Sequence, residues 1–230
     1  HIKCTPKGGG FGHGHGGIFY DLYFVMEFST PFINKRFFSN EEFIDENKGD
    51  DLGLFLDFNR DLKDPITVKC AISYVDIEGA RKNFSAECEN VDFNNMAENA
   101  LQKWEDVFSC IKVEGTDEID LKLFYTCLYH VLLDPHTMAD VDGRFVINYE
   151  VFKDSDYKQR TVFSGWDVYR SEFPLLSIIR PDMVRDDINS LLKIAEINNS
   201  SFPRWELLGI NAGCMVGDPG LIVLADAFVK

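Results

Sequence analysis

The sequence has few basic residues for its length, and this imbalance excludes whole classes of partner. Only 23 Lys and Arg stand against 38 Asp and Glu, which gives a formal net charge of −15 at pH 7. A surface with this excess of negative charge repels nucleic acid and anionic membranes. We therefore predict no nucleic-acid partner, whereas a neutral ligand such as a sugar is indifferent to the charge.

Long apolar runs and metal-type cysteine motifs are also missing. No stretch stays apolar over the ~20 residues that a membrane-spanning helix needs, so no membrane span is predicted. The six Cys are scattered without a CxxC pair, which excludes zinc-type spacing and leaves disulfide pairing undetermined. Cys110 and Cys127 lie in apolar helical patterns, where we expect buried free thiols.

The first residues, HIKCTPKGGG, include neither an initiator Met nor the apolar core of a signal peptide. We therefore expect a processed product or a piece of a longer protein. Sequons for N-glycosylation begin at Asn83, Asn198 and Asn199, and they are consistent with a secretory route.

What the chain does contain is ample material for a core, since 45% of its residues are hydrophobic and 20 are Phe. Strand patterns come first: IFYDLYFVMEF is apolar on both faces, as in a strand covered on two sides. Alternating patterns follow in LGLFLDF (Leu52, Leu54, Leu56, Phe58) and in ITVKCAISYVD (Val68, Cys70, Ile72, Tyr74). The acidic stretch NEEFIDENKGDD between them is predicted to be a solvated loop.

Helical periodicity begins near residue 92 and continues to the last residue. Asp92 is predicted to cap the first helix, Thr116 to begin a second, and a third to open near Phe163. Pro181 and Pro219 occupy first-turn positions of two further helices, with Asp218 as the cap of the last. Strands followed by a succession of helices predict two segregated layers or two domains.

Two short stretches offer polar side chains without a diagnostic spacing. GGGFGHGHGG is no phosphate loop, so His13 and His15 are expected in a surface turn, with a metal site or a loop approaching a ligand as alternatives. Asp134, Asp140 and Asp142 do not match an EF-hand, so turn-forming carboxylates are expected and calcium is the alternative.

Two other stretches combine a Trp with charged residues. In FSGWDVYRSEFPLL, Asp167 and Arg170 are spaced for an ion pair on a helix beside Trp166. The alternative is a sugar pocket, in which an indole gives an apolar platform and a carboxylate takes hydroxyls. In FPRWELLGINAGCMVGDP, the cluster of Arg204, Trp205 and Glu206 lies in a non-helical connection, where functional sites tend to occur.

Four blocks together resemble one family. They are ISYVDIEGARKNFSAE, FYTCLYHVLLDPHTMADVDGRF, TVFSGWDVYRSEFPLLSIIRPDMVRDDINSLL and FPRWELLGINAGCMVGDPGLIVLADAFVK. In order along roughly residues 66 to 230, they look like glycoside hydrolase family 92, the calcium-dependent exo-acting α-mannosidases. The resemblance implies an α+β multidomain fold. Residues 1–92 would hold the C-terminal part of a β-sandwich and a linker helix, and residues 93–230 the first helices of an (α/α)6 barrel.

The resemblance also implies an activity and a location. The family releases terminal mannose by an inverting mechanism, with two carboxyls about 6.5–9.5 Å apart, and calcium holds the sugar. An α-1,2 linkage in a mannose-containing glycan is the expected substrate, and a secreted or lysosome-like compartment the expected location. The family's EGNAWQY-like acid segment, GNDDCGQ-like base segment and GNEP-like calcium segment do not occur in these 230 residues.

We therefore assign no catalytic residue, expect this chain to be inactive alone, and expect the remainder of the enzyme as a candidate partner chain. A non-catalytic carbohydrate-binding homologue or an interaction module is the alternative. By resemblance, Trp166 and Asp167 match the WD motif of the terminal-sugar subsite, and Arg170 is expected to orient Asp167. The remaining matches belong to the PRWE and GDP blocks, at the barrel mouth or at helix ends: Arg204, Trp205, Glu206 and Asp218.

Overall fold

A computed structural model describes residues 2–4 (backbone only), 20–49, 51–59, 61, 63–115 and 117–230. His13, His15 and Thr116, on which predictions were made, lie outside these residues. The chain divides into two compact units, His1–Val25 with Ala71–Lys230, and Met26–Cys70. The expected division at residue 92 into sandwich and barrel stays a prediction.

The strands pair mainly as short antiparallel ladders. They are β1 (Ile2–Cys4), β2 (Leu22–Phe28), β3 (Asn34–Ser39), β4 (Glu42–Ile44), β5 (Gly53–Asp57), β6 (Val68–Ser73), β7 (His136–Thr137), β8 (Arg144–Ile147), β9 (Glu150–Lys153), β10 (Arg160–Thr161), β11 (Glu206–Leu207) and β12 (Ile210–Asn211). Two sheets have three strands, in the orders β1-β2-β6 and β4-β3-β5. β7 pairs with β10, β8 with β9, and β11 with β12.

The helices of the described residues all lie in the larger unit. They are α1 (Ile77–Glu87), α2 (Phe93–Phe108), α3 (Glu118–Val131), α4 (Gly165–Val168), α5 (Glu172–Ile179), α6 (Pro181–Ile197) and α7 (Pro219–Val229). The predicted starts at Asp92 and Pro181 are confirmed: the Asp92 side chain accepts from Asn95 N, and Pro181 is the first residue of α6. None of the helices in the described ranges is both long and apolar enough to cross a membrane.

The stretch NEEFIDENKGDD is not wholly a loop, because β4 lies inside it and pairs with β3. Asn40 and Glu41 both have positive φ, 48° and 68°, and join the two strands as a two-residue turn. Turns with both central residues left-handed match the twist of a hairpin, and Asn suits that conformation. Phe38 thereby faces Phe43 across the ladder. The loop prediction was therefore wrong for residues 42–44.

β6 forms where predicted, but its buried face is the opposite one. Ala71 and Ser73 are buried, whereas Val68 is 48% and Ile72 47% exposed. The reason is α1, whose Phe84 packs on Ala71 in a small core cluster. On the same face the Ser73 hydroxyl donates to Asp140, at 2.8 Å. A polar network thus decided which side of the strand was covered.

α2 and α3 contact each other through aromatic rings rather than through cysteine. Trp104 lies 4.7 Å from Tyr129 between ring centroids, and Phe108 meets Tyr125 at 6.0 Å. Cys127 is two residues from both tyrosines, about 200° around the helix, and it is exposed. Cys110 lies beyond the end of α2 and is also exposed. The prediction that these two thiols are buried was wrong.

The main hydrophobic core joins α5, α6 and α7. Its fully buried members are Phe163, Phe173, Leu176, Met183, Val184, Leu191 and Val223. Apolar residues of α6 recur at three- and four-residue spacing, so one stripe of this helix faces the core. The core therefore fixes the segment from Phe163 onward, which carries the Trp-Asp pair.

Candidate functional site

Three distant segments of the chain meet beside α4. Phe163 and Glu206 form an antiparallel bridge, in which Phe163 N donates to Glu206 O at 3.1 Å and Glu206 N to Phe163 O at 2.9 Å. Gly165, the first residue of α4, lies where a Cβ would come within 2.9 Å of Arg204 O and 2.6 Å of Pro219 Cγ. The absence of a side chain at Gly165 therefore permits this three-way junction.

Five exposed side chains flank the junction, and we call them the rim. They are Trp166, Asp167, Arg170, Arg204 and Asp218. All five were predicted as binding residues, and the fold brings their segments together. Trp205 is half-buried and Glu206 is buried, so these two predicted residues lie behind the rim.

Arg170 stacks on the indole instead of pairing with the neighbouring carboxylate. Its guanidinium carbon lies 4.4 Å from the Trp166 ring centroid and 5.4 Å from that of Tyr169. α4 ends at Val168, so helical spacing does not carry Arg170 back to Asp167. The guanidinium of Arg170 lies on the rings of Trp166 and Tyr169, and among the described residues it forms no ion pair with Asp167. The structure therefore does not confirm the expectation that Arg170 orients Asp167. A stacked guanidinium holds the indole through a cation–π contact.

The Asp167 carboxylate is held on one side only. The Ser164 hydroxyl donates to Asp167 Oδ2 at 2.5 Å, and Asp167 N donates to Ser164 O at 2.9 Å. Among the described residues, no donor reaches the other oxygen, Oδ1. An exposed Asp167 with one oriented and one available oxygen, next to an exposed indole, suits a neutral ligand rich in hydroxyls.

Arg204 and Asp218 are positioned by the loop between β12 and α7. Arg204 Nη1 donates to Met215 O at 2.9 Å, so the guanidinium ties this loop to the segment after α6. Asp218 stands at the N-cap position of α7, as predicted, but its side chain makes no capping hydrogen bond. Its carboxylate is therefore not used by the helix.

A family model described as the glycosyl hydrolase family 92 catalytic domain matches residues 79–230, about two thirds of the chain. The chain belongs to glycosyl hydrolase family 92. A comparison with curated proteins gave no match.

Solved structures of family 92 enzymes share the fold. The GH92 α-mannosidase BT3965 from Bacteroides thetaiotaomicron is 27% identical with a TM-score of 0.85, over 92% of this chain and 30% of that one. Its complex with mannoimidazole gives 27% and 0.83 over the same shares. The inverting mannosidase BT2199 from B. thetaiotaomicron VPI-5482 gives 25% and 0.78, over 91% of this chain and 29% of that one. The chain thus spans about 30% of the length of these relatives.

Glu206 of this family 92 chain is a buried clamp behind the rim. Its Oε1 accepts from Thr161 Oγ1 at 2.8 Å and from Gly209 N at 2.5 Å, and its Oε2 accepts from Phe163 N at 3.3 Å. Burial raises the pKa of Glu206, and these hydrogen bonds oppose the rise. The bonds hold the chain on both sides of Val162, which has φ 68°. A β-branched residue in the left-handed region is strained, so the clamp maintains the turn that leads to Trp166.

A second buried polar group was not predicted from the sequence. Asp187 on α6 is 2% exposed, and neither of its carboxylate oxygens is hydrogen-bonded within the described structure. It lines a cavity of about 10 Å³ together with Arg160, Ser190 and Glu206. Burial raises the pKa of Asp187 well above its usual value, and the Arg160 charge opposes this. The sequence did contain a signal for this buried carboxylate. Asp187 falls on the apolar stripe of α6, four residues after Met183 and four before Leu191.

Glu172, at the start of α5, is a further titratable residue that the sequence did not single out. Burial, with the charge of Asp134 as the second cause, raises the pKa of Glu172 to about 7. Its protonation therefore changes near neutral pH. Asp134 itself is half-exposed and lies 2.7 Å from His136 Nδ1.

The acidic residues expected in turns were tested as oxygen ligands for calcium, which takes six to eight oxygens. Asp142 forms the predicted turn, accepting from Arg144 N at 3.3 Å. Asp140 does not: it is buried and accepts from Ser73 and from Asn83. Asp142 also accepts from Lys82, and in the part of the chain that the structure describes, no three acidic, His or Cys side chains are grouped to hold a metal ion. These residues do not fit a calcium site.

Proposed function

We propose that this chain supplies part of the mannose-binding site of an α-mannosidase that removes terminal mannose from glycans. The observation that carries the proposal is the rim, where Asp167 offers an available carboxylate oxygen beside the exposed indole of Trp166. Membership of family 92 supports the sugar class. The mannoimidazole complex of a relative supports recognition of mannose at a site of this fold.

Each rim residue has a distinct part in this proposal. Asp167 accepts hydrogen bonds from mannose hydroxyls through Oδ1, while Ser164 keeps Oδ2 in place. The indole of Trp166 packs against the apolar face of the sugar ring, and Arg170 holds it in position. Arg204 and Asp218 contribute further polar contacts at the rim, because both side chains are exposed.

The catalytic step is proposed for the whole enzyme rather than for this chain. An inverting reaction needs a general acid and a general base on opposite sides of the sugar. Both carboxylates, and the oxygen ligands of the calcium ion, would come from residues beyond these 230. We further propose α-1,2-linked mannose as the substrate and a secreted or lysosome-like location.

The test is mannose release by the complete gene product. We expect hydrolysis of α-1,2-linked mannobiose with calcium present, loss of activity with a chelator, and no hydrolysis by the 230-residue chain alone. Asp167→Ala in the complete enzyme should abolish detectable turnover. Asp226→Ala, which removes a partly exposed ion pair with Lys230 on α7, should leave turnover intact. No release by the complete enzyme from any α-linked mannoside would overturn the proposal.

A second candidate is a mannose-binding protein without catalysis. It rests on the same rim, because an oriented carboxylate beside an exposed indole can bind a sugar without any catalytic group. This candidate predicts that the complete gene product binds mannose, measured by calorimetry, and hydrolyses nothing. Binding that depends on Asp167 without turnover would support it over the enzyme.

A further inference from the structure

The three N-glycosylation sequons differ sharply in what their asparagines do in the fold. We propose that Asn199 is the glycan acceptor and that Asn83 and Asn198 carry no glycan in the folded protein. The proposal is independent of the mannosidase activity. It depends on the environment of each side-chain amide and on entry of the protein into a secretory compartment.

Asn83 is half-buried, and its side-chain amide is fully engaged in hydrogen bonds within the larger unit. It lies in the middle of α1, and its Nδ2 donates to Ile72 O and to Asp140 Oδ1, both at 2.8 Å. Its Oδ1 accepts from Val141 N at 2.9 Å. A glycan replaces one hydrogen of Nδ2, so it would remove one of these bonds and place a sugar between α1 and Asp140. An occupied Asn83 is therefore incompatible with this packing.

Asn198 is also engaged. It is the C-terminal cap of α6 and is half-buried, and its Oδ1 accepts from Asn148 Nδ2 at 2.7 Å. Asn148 belongs to the turn between β8 and β9. The amide oxygen of Asn198 is thus held against a neighbouring hairpin, and a glycan on the adjacent Nδ2 would have to avoid that hairpin.

Asn199 is the opposite case. Its side chain is exposed and takes part in no hydrogen bond among the residues that the structure describes. The residue has φ 53° and Ser200 has φ 63°, so the chain turns outward directly after α6. Backbone bonds hold this turn, from Ser200 N to Ala195 O at 2.7 Å and from Ser201 N to Asn198 O at 3.0 Å. Ser201, the hydroxyl residue of the Asn199 sequon, is exposed too.

The modification itself is a group transfer to the exposed amide. A bond forms between Asn199 Nδ2 and the anomeric carbon of an oligosaccharide, and Nδ2 loses one proton to a base of the transferase. The bond between that carbon and a lipid-linked pyrophosphate breaks, and its electron pair leaves on the pyrophosphate oxygen. The co-reactant is therefore a lipid-pyrophosphate-linked oligosaccharide of a secretory compartment.

The experiment compares variants that remove one sequon each without changing an asparagine. The complete gene product is secreted from a eukaryotic cell and digested with trypsin. Enzymatic removal of the glycan in heavy-oxygen water then converts the occupied Asn to a labelled Asp. Ser201→Ala removes the Asn199 sequon and leaves that of Asn198. Ser200→Ala does the reverse, and Ser85→Ala removes the sequon of Asn83; all three serines are exposed.

We expect the label at Asn199 in the peptide IAEINNSSFPR, and the loss of the glycan mass only in Ser201→Ala. Ser200→Ala and Ser85→Ala should keep that mass. A label at Asn198 or Asn83, a glycan that survives Ser201→Ala, or a secreted protein without any glycan would each overturn the proposal.

Discussion

Arg160 Nε lies 3.8 Å from Asp187 Oδ1 in the protein interior, close enough for attraction and too far for a hydrogen bond. Neither atom has a hydrogen-bond partner in the described parts of the chain, although Arg160 Nη1 donates to Pro135 O. A buried carboxylate in this position favours its neutral form. Desolvation destabilises the charged form by more free energy than the attraction of one guanidinium at this distance stabilises it. The nearby carboxylates Asp186, Glu172 and Glu206 act in the same direction.

Asp187→Asn is accordingly not expected to destabilise the protein at pH 7. If Asp187 is neutral in the folded state, the amide nearly reproduces its shape and does not have to hold a proton that the unfolded chain releases, so the free energy of unfolding stays the same or rises. If Asp187 is instead a working ion pair with Arg160, the loss would be about 3–5 kcal/mol. Urea unfolding at pH 7 separates the two outcomes, with Asp156→Asn, at an exposed carboxylate between β9 and β10, as the matched control.

The same residue should make the wild-type protein more sensitive to rising pH. The pKa of Asp187 is raised in the folded state, so above the unfolded pKa the unfolded chain releases a proton that the folded chain still holds. Stability from this group is present below the unfolded pKa and is lost as pH rises. We expect the melting temperature of Asp187→Asn, relative to wild type, to increase from pH 4.5 to pH 7.

Glu172 supplies a second pH-dependent contribution of the same sign. Its pKa is raised to about 7 in the folded state, from 4.5, so its contribution to stability falls as pH rises between these values. Glu172→Gln should flatten the pH dependence of stability in this window, by on the order of 1 kcal/mol because the group is partly solvated. Asp134→Asn should flatten it partly, since it removes the second cause. Unchanged slopes in both variants would contradict this account.

Glu206→Gln tests the clamp behind the rim. The amide nitrogen of Gln is a donor, so one of the donors that now faces the carboxylate (Phe163 N, Gly209 N or Thr161 Oγ1) loses its acceptor. We expect a loss of about 1–3 kcal/mol in the free energy of unfolding. Glu196→Gln, at an exposed ion pair on α6, should change it by less than about 1 kcal/mol. Equal effects of the two substitutions would show that the hydrogen bonds of Glu206 do not stabilise the fold.

Gly165→Ala tests the junction that places the rim. The added methyl would meet Pro219 Cγ at 2.6 Å and the backbone oxygen of Arg204 at 2.9 Å, so α4 must shift. Overpacking of this kind costs about 1–3 kcal/mol. Gly115→Ala meets only the Leu121 side chain, at 3.6 Å, and should be nearly neutral. In the complete enzyme, Gly165→Ala should also raise KM for mannosides, because Trp166 and Asp167 move with α4.

Local chemistry along the chain was enough to determine several features. An Asp side chain that can cap a helix, as Asp92 does, and a Pro that lacks an N–H, as Pro181 and Pro219 do, act on their own neighbours, and the helices begin where these residues stand. The resemblance of long residue blocks likewise led to family 92. It also singled out Trp166 and Asp167, whose role in binding stays a prediction.

Only the tertiary structure decided which faces and carboxylates were covered. The alternating pattern of β6 places Val68 and Ile72 on its apolar face, which a half-buried strand would turn inward. In the structure α1 and Asp140 cover the opposite face, with Ala71 and Ser73. Asp218 stands at a cap position without capping, and Arg170 lies on Trp166 rather than beside Asp167. Burial and hydrogen bonding depend on residues far away in sequence, here on contacts across 67 residues for Ser73 and 45 for Glu206, and no local pattern encodes them.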